Sequence, residues 1–217
     1  MKNNLKKSDL TNISPRITTS EVLVNAAPDD FILTLETVGL PEQYGFEIVY
    51  ISLSYFSKTL NNGKPIVASP IRPFYHTDIS SSTPYNGITN EMVKNAPKLG
   101  ITTAKKIAAL TKGHKVFVWN KDFIQSAINT SSLEFETLID VQEEARWDLL
   151  IPNPNERPDL YSEPQYPPKL PSWQDVLGRK PANAEEKIQF IRFTQTAMQN
   201  GGIEFILKKM KDKSKVA

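Results

Sequence analysis

A carboxylate near the end of an apolar run is the first side chain here whose position suggests chemistry. The run is FILTLETVGL, residues 31–40, in which Glu36 follows Thr34 by two positions. Strands that end in Asp-x-Glu can hold divalent metals, because hard cations prefer carboxylate oxygens as ligands. Here the first position of that pair is a threonine. The run therefore raises the question of whether a metal centre can form at all.

The composition excludes several other chemistries and locations. With no cysteine in 217 residues, the chain has no disulfide, no thiolate metal ligand and no cysteine nucleophile. The formal net charge is only +2, so attraction to phosphate would require a local patch of positive charge. No apolar run approaches the roughly 20 residues that span a bilayer, and no apolar stretch follows the basic N-terminus. We therefore expect a cytoplasmic protein.

The hydrophobic pattern predicts an α/β fold with a mixed sheet. Residues 31–37 and 46–56 form apolar, β-branched runs, and a turn at 61–63 leads from the second run into KPIVASPIRP. These last two segments are typical of an antiparallel hairpin. Further along, KVFVWN (115–120) predicts a buried strand between helical segments, and SLEFETLIDVQEEARWDLL predicts a short strand that passes into a helix. The hairpin followed by alternating helices and strands favours a sheet flanked by helices.

The chain divides into five predicted segments. Residues 1–25 form a flexible polar N-terminal arm, residues 26–150 the α/β core, and residues 151–181 a proline-rich surface segment. Residues 182–212 contribute C-terminal helices that complete the core, and residues 213–217 form a basic tail. Eight of the sixteen prolines lie between 152 and 181, so the third segment is predicted to be extended.

Several segments resemble the DnaQ-like, or DEDD, 3′–5′ exonucleases of the ribonuclease-H-like fold. The segment GITNEMVKNAP, residues 87–97, carries most of the resemblance. It is preceded by the strand that ends in Glu36-Thr37, Gly39 and Leu40, and by the predicted hairpin. It is followed by a strand that ends in Trp119-Asn120, shortly before Phe123. The resemblance covers about residues 30–150 and implies the mixed sheet described above.

The resemblance also implies a reaction and a set of ligands. Members of the family use four carboxylates to hold two divalent metals about 4 Å apart, and these metals activate water and stabilise the leaving oxygen. In the commonest subclass, a histidine acts as the general base on that water.

This chain lacks most of those residues at the matching positions. Glu36 matches the first glutamate, but Thr34 stands where the first aspartate belongs and Ile124 where the second belongs. In the last motif, Ala182 stands where the histidine base belongs and Lys187 where the last aspartate belongs. The resemblance therefore implies a degenerate, catalytically inactive member with a vestigial Glu36, no metal and no other cofactor.

Other carboxylates are poor substitutes for the missing ligands. Asp29 and Asp30 begin the first strand, about 15 Å from its far end at about 3.3 Å per residue. Asp122 precedes position 124 by two residues, which on a helix turns it about 200° away. Glu185 and Glu186 are the best candidates, because they lie one turn from the expected place.

Three residues have plainer structural interpretations. Glu36 can cap a neighbouring helix or pair with Lys187, which we favour over a metal ligand. Trp119 is expected to fill the vacated cleft as a core aromatic residue rather than to stack on a base. His114 is expected to be a solvated turn residue.

We therefore predict a non-catalytic pseudo-exonuclease that serves as a protein-binding or scaffold subunit of a larger complex. The proline-rich segment suggests this role, because it carries aromatic residues that a mere spacer does not need. The predicted partner-binding residues are Tyr161, Tyr166, Pro167, Pro168 and Trp173. A nucleic-acid-binding module without cleavage is the first alternative, which the nearly neutral charge disfavours. A weak residual exonuclease, suggested by analogy of fold, is the second.

Overall fold

Strand β1, Phe31–Val38, lies at the centre of a mixed five-stranded sheet. The computed structural model describes residues 26–39, 46–151, 153–155, 167–205 and 207–208, and all that follows refers to these. The other strands are β2 (Glu47–Tyr55), β3 (Val67–Pro70), β4 (Val116–Val118) and β5 (Leu138–Asp140), in the spatial order β3-β2-β1-β4-β5. Strands β2 and β3 pair antiparallel on one side of β1, and β4 and β5 pair parallel on the other. The predicted hairpin and mixed sheet are confirmed.

Helices cover both faces of the sheet. They are α1 (Thr83–Asn86), α2 (Asn90–Lys94), α3 (Ile101–Thr111), α4 (Lys121–Asn129), α5 (Val141–Leu149), α6 (Trp173–Leu177) and α7 (Ala184–Gln199). Along β1, Phe31, Leu33 and Leu35 pack with buried residues of α3 and α4, whereas Ile32 packs with α5, α6 and α7. Because side chains alternate along a strand, Thr34 and Glu36 point to the same face as Ile32, towards α7.

The turn between β2 and β3 has the residues that its backbone requires. Asn61 and Asn62 adopt positive φ angles of 49° and 53°, and Gly63 follows at 72°. Asparagine and glycine are the residues that enter this left-handed region at least cost. The predicted turn at 61–63 is therefore confirmed.

The proline-rich segment differs from its prediction. Residues 151–181 were predicted to form an extended surface segment, yet they contain helix α6. The side chain of Ser172 accepts a hydrogen bond from the Asp175 backbone N–H, and the Asp175 carboxylate accepts one from the Ser172 N–H. This capping box begins a helix whose Val176 is only 1% exposed. A local cap and one apolar anchor thus form a short helix among the prolines, and the extended character of the rest of the segment remains a prediction.

The C-terminal helix α7 packs on the core and lies within residues 182–212, for which C-terminal helices are predicted. Helix α7 buries Ile188, Ile191 and Met198 against the sheet face that carries Ile32. After it, the Asp148 carboxylate accepts a 2.7 Å hydrogen bond from the N–H of buried Ile203. A side chain at Gly202 would meet Asp148 at 3.1 Å, and its φ of 96° also favours glycine.

The predicted arm 1–25 and basic tail 213–217 lie outside the described residues. None of the helices that the structure describes has the length and hydropathy needed to cross a bilayer.

Candidate functional site: a cleft with an internal ion pair

The Glu36 carboxylate and the Lys187 ammonium form an ion pair beside the cleft between β1 and α7. Lys187 Nζ donates to Glu36 Oε1 at 2.5 Å, and the two side chains are 22% and 7% exposed. Lys187 lies in the first turn of α7, which crosses the face of β1 that carries Glu36. The predicted pairing of Glu36 with Lys187 is confirmed.

Burial raises the pKa of the Glu36 carboxyl above its usual range, although the charge and hydrogen bond of Lys187 act in the opposite direction. The loss of hydration therefore outweighs the attraction of one lysine. Such a pair has a large desolvation cost, and removal of one partner leaves the other charge uncompensated.

Three of the positions that the family would use for metal ligands line one cavity. Thr34, Ile124 and Lys187 surround a space of about 310 Å³. Ile124 is 3% exposed and packs in the core, and the buried Thr34 hydroxyl has no hydrogen-bond partner among the described residues. The structure thus brings these residues together where the resemblance places them.

The position predicted for the general base lies apart from this cavity. Ala182 is exposed in the loop before α7, and its backbone N–H donates to Glu186 Oε2 at 2.8 Å. Glu186 is also paired with Arg179 at 2.8 Å. The hydrogen bonds of Arg179 and Ala182 lower the pKa of Glu186.

The remaining candidate carboxylates serve other parts of the fold. Asp30 is 4% exposed at the start of β1, where it accepts hydrogen bonds from the N–H groups of Ala27 and Lys115. His114 lies in the turn before β4, where its N–H donates to the Thr111 carbonyl. Its side chain is 33% exposed and its ring edge packs on Phe31, so the predicted turn residue is only partly solvated.

Glu185 faces the β2 side of α7. Burial raises the pKa of Tyr50, and the charges of Glu185 and Glu36 add to that effect. Glu185 lines a different cavity from the one that holds Thr34 and Ile124.

The donor set of the cleft does not fit a pair of divalent metals. One carboxylate, one hydroxyl, an isoleucine and a lysine stand in place of four carboxylates. Magnesium needs several oxygen ligands in near-octahedral order, and an ammonium group repels it. Within the described ranges, no three His, Cys, Asp or Glu residues are grouped so that they could hold a metal ion.

Two stacked tryptophans close one wall of the cleft. The Trp119 and Trp173 rings lie 4.0 Å apart between centroids, inclined by 18°, and both line the cavity. Trp119 is only 9% exposed, so it is a core aromatic residue as predicted, but it forms a wall of the cleft and does not fill it. Gln142 donates to the Pro171 carbonyl at 2.8 Å and ties the start of α6 to α5.

The predicted partner-binding residues have different surroundings. Trp173 packs on Trp119 and Phe190, so its ring is largely occupied within the chain. Pro167 is exposed and Pro168 is half-buried. Tyr161 and Tyr166 lie outside the described residues.

Sequence reasoning missed an exposed aromatic patch beside α3, which consists of Phe74, Tyr75 and Ile101. These side chains are 56%, 75% and 61% exposed. Lys98 Nζ lies 4.4 Å from the centre of the Phe74 ring, and Arg72 lines the same cavity as Phe74 and Ile101. The signal in the sequence was the aromatic pair in PIRPFYH, placed after prolines that end a strand.

A buried carboxylate fixes the backbone beneath this patch. Glu47 accepts hydrogen bonds from the backbone N–H groups of Phe74, Tyr75 and His76 and from the His76 ring. Burial by itself would raise the pKa of Glu47, but these hydrogen bonds lower it below its usual range. The exposed rings of the aromatic patch are therefore carried on an ordered segment.

No protein-family model matches the sequence, and no curated protein matches it. Solved structures do match. A 3′-exonuclease with 3′-end-specific recognition of the histone mRNA stem-loop aligns at TM-score 0.52 and 17% identity, over 82% of this chain and 66% of that one. The nuclease domain of 3′hExo, a DEDDh family member bound to rAMP, aligns at TM-score 0.51 and 16% identity, over 82% of this chain and 96% of that one. The Neurospora crassa Pan2 catalytic unit, with protease and nuclease domains, aligns at TM-score 0.52 and 15% identity, over 91% of this chain and 31% of that one.

The chain thus spans 66% of the first of these chains and 31% of Pan2. At these identities the likeness is one of fold. Together with the mixed sheet and the position of α7, it confirms that the chain has the DnaQ-like exonuclease fold within the ribonuclease-H-like class.

Proposed function

We propose that this protein is a non-catalytic pseudo-exonuclease that acts as a protein-binding subunit of a larger assembly in the cytoplasm. The ion pair between Glu36 and Lys187 carries the proposal. It supports the proposal because Lys187, which the resemblance aligns with a family metal ligand, engages the Glu36 carboxylate.

The test of inactivity uses a 3′-labelled single-stranded oligonucleotide with Mg²⁺ or Mn²⁺. We expect no trimming by the wild-type protein. Trimming that disappears in Glu36→Gln would contradict the proposal and would establish a working metal site. Trimming that persists in Glu36→Gln would indicate a contaminating nuclease, and the assay would then be repeated after further purification.

The aromatic patch supports the binding role. Monomeric proteins seldom expose several large apolar side chains together without a partner for them. Basic residues surround the patch: Arg72 and Lys98 contact it, and Lys105 follows Ile101 by one exposed turn of α3. A partner that fits this surface is a protein with an apolar contact area and an acidic rim.

The test of binding compares affinity purifications after nuclease treatment. We expect a stable set of co-purifying proteins that is lost with Phe74→Ser combined with Ile101→Ser. Tyr85→Ser serves as the matched control, because Tyr85 is 89% exposed and lies outside the patch. Recovery of a monomer without partners, or of the same proteins with the patch variant, would contradict this role for the patch.

Binding of single-stranded nucleic acid without cleavage is a second candidate. The cation over the Phe74 ring favours it, because proteins that bind single strands combine aromatic platforms with basic side chains. Salt-sensitive binding of an oligonucleotide that weakens in Lys98→Gln would support this candidate. Binding that is absent at low salt would exclude it.

A further inference from the structure

A buried arginine lines a cavity on the β2 side of α7, away from the degenerate cleft. The cavity measures about 210 Å³ and lies between α7, the end of β2 and the turn at 61–63. The cleft, by contrast, is lined by residues of β1, α4 and α6. The two spaces therefore flank the first half of α7 on different sides.

Arg192 brings a positive charge into this cavity that no carboxylate neutralises. The residue is 7% exposed, and its guanidinium donates from Nε to the Phe56 carbonyl and from Nη2 to the Tyr55 carbonyl. These bonds occupy two of the five N–H donors of a guanidinium. Among the described residues, no carboxylate lies within ion-pair distance of Arg192.

Ser54 adds an unpartnered donor. It is 1% exposed, it lines the same cavity, and its hydroxyl has no hydrogen-bond partner among the described residues. A buried polar atom of this kind costs free energy unless something binds it. The hydroxyl and the guanidinium therefore offer complementary donors to one acceptor group.

The mouth of the cavity carries further donors and one acid. Lys58 is exposed at the rim and pairs with no carboxylate among the described residues, and the amides of Asn62 and Gln189 also line the space. Glu185 lines it as well and is exposed. Two cations against one carboxylate leave a net positive charge, and the acid is at the solvated edge where its field is screened.

We propose that this cavity binds a phosphate group, held by Arg192, Ser54 and Lys58. A guanidinium with free N–H donors, a hydroxyl and an ammonium are the groups that recognise phosphate oxygens. The phosphate would supply a negative charge, and it would accept hydrogen bonds from the guanidinium donors that the carbonyls of Tyr55 and Phe56 leave free.

The phosphate can be free or part of a larger molecule. An adjoining cavity of about 660 Å³ shares Lys58, Gln189 and Arg192 with the first and is otherwise lined by residues such as Phe193 and Ala197. This space is suited to an organic body attached to the phosphate. Tighter binding of phenyl phosphate than of inorganic phosphate would identify such a monoester as the ligand, and equal binding would identify free phosphate.

The test titrates the full chain with sodium phosphate against sodium chloride at equal ionic strength, by calorimetry and by thermal unfolding. We expect saturable binding and a matching rise in unfolding temperature, because a ligand of the native state stabilises it. Ser54→Ala should weaken binding about threefold and Lys58→Gln about threefold. Arg192→Lys should weaken binding about tenfold, because it loses the planar fork of donors.

The control variant is Lys112→Gln, which removes an exposed charge at the C-terminal end of α3, a helix on the opposite face of the sheet. It should leave phosphate binding unchanged. Ser54→Ala removes a hydroxyl that has no hydrogen-bond partner in the described part of the chain, so this variant should unfold like the wild type. No saturable binding, binding that survives both Ser54→Ala and Lys58→Gln, or equal loss in Lys112→Gln would overturn the proposal.

Discussion

Helix α7 carries two buried or half-buried cations five residues apart, and their surroundings differ in kind. Lys187 faces the cleft and pairs with the Glu36 carboxylate at 2.5 Å. Arg192 faces the β2 side and, among the described residues, donates to the carbonyls of Tyr55 and Phe56. Lys187 therefore has its charge neutralised within the chain, whereas Arg192 keeps its charge and some of its donors.

This difference distinguishes the cleft, whose charged groups are paired within the chain, from the Arg192 cavity, whose polar groups remain able to bind a ligand. In the cleft, the lysine engages the last carboxylate, and the two tryptophans close one wall. At the Arg192 cavity, a guanidinium that pairs with no carboxylate and a hydroxyl without a hydrogen-bond partner, both judged among the described residues, line the same space. A search for binding activity should therefore begin at Arg192 rather than at the cleft.

The largest expected effect comes from breaking the pair in the cleft. Lys187→Met leaves Glu36 buried without a counter-ion, and we expect the free energy of unfolding at pH 7 to fall by about 3 kcal/mol. This is the low end for a broken buried pair, because the Lys187 side chain is still 22% exposed. Urea unfolding followed by circular dichroism measures it.

The control for this variant is the double change Glu36→Leu with Lys187→Met. Apolar replacement of both partners removes the desolvation cost along with the attraction, so stability should return to within about 1 kcal/mol of the wild type. A single variant as stable as the wild type would show that the ion pair does not hold α7 against β1.

A smaller effect is expected at the second cation. Arg192→Met deprives two carbonyls at the end of β2 of a charged donor, and we expect a loss of about 2 kcal/mol in the free energy of unfolding. Adding Glu36→Leu restores the stability of Lys187→Met, but it should not restore that of Arg192→Met, because Arg192 and Glu36 do not interact directly. Rescue by that change would mean that both cations belong to one electrostatic network.

The sequence predicted one of these two environments and not the other. The register of the family motifs placed Lys187 opposite Glu36, so their pairing followed from two short segments. Arg192 follows Ile191 on a helix whose predicted apolar face was Ile188, Ile191 and Met198, and arginine at such a place is ordinarily solvated. Only the tertiary position of the β2 carbonyls buries it.

The same limit applies to the aromatic residues. The proline-rich composition predicted that Trp173 would face a partner, yet its ring stacks on Trp119, which is distant in sequence. Phe74 and Tyr75, which are exposed, attracted no prediction. Strands, turns and α7 follow from local patterns, whereas the choice of which aromatic residue is covered depends on long-range packing.

The smallest expected effect is a pH dependence that belongs to the cleft alone. Because the pKa of Glu36 is raised above 4.5 in the folded state, the folded protein holds a proton there that the unfolded chain has released. Stability should therefore fall as pH rises from 4.5 through the raised value, relative to Glu36→Gln. The Arg192→Met variant should show the same fall in stability with pH. In Lys187→Met the fall should continue to higher pH, because the lysine opposes the rise in the pKa of Glu36.

The titration of Glu47 sets the lowest pH at which the effect of Glu36 can be measured by itself. Its pKa is lowered in the folded state, so the stability that it contributes is lost only as pH falls below 4.5 through its folded pKa. Urea unfolding between pH 5 and pH 8 therefore isolates Glu36 from Glu47. The quantity to follow is the difference in free energy of unfolding between the wild type and Glu36→Gln. If this difference stays constant over the range, or shifts in favour of the wild type as pH rises, Lys187 offsets the burial of Glu36 in full. The cleft would then differ from the Arg192 site more sharply, because burial lowers the pKa of Arg192 and no carboxylate among the described residues pairs with it.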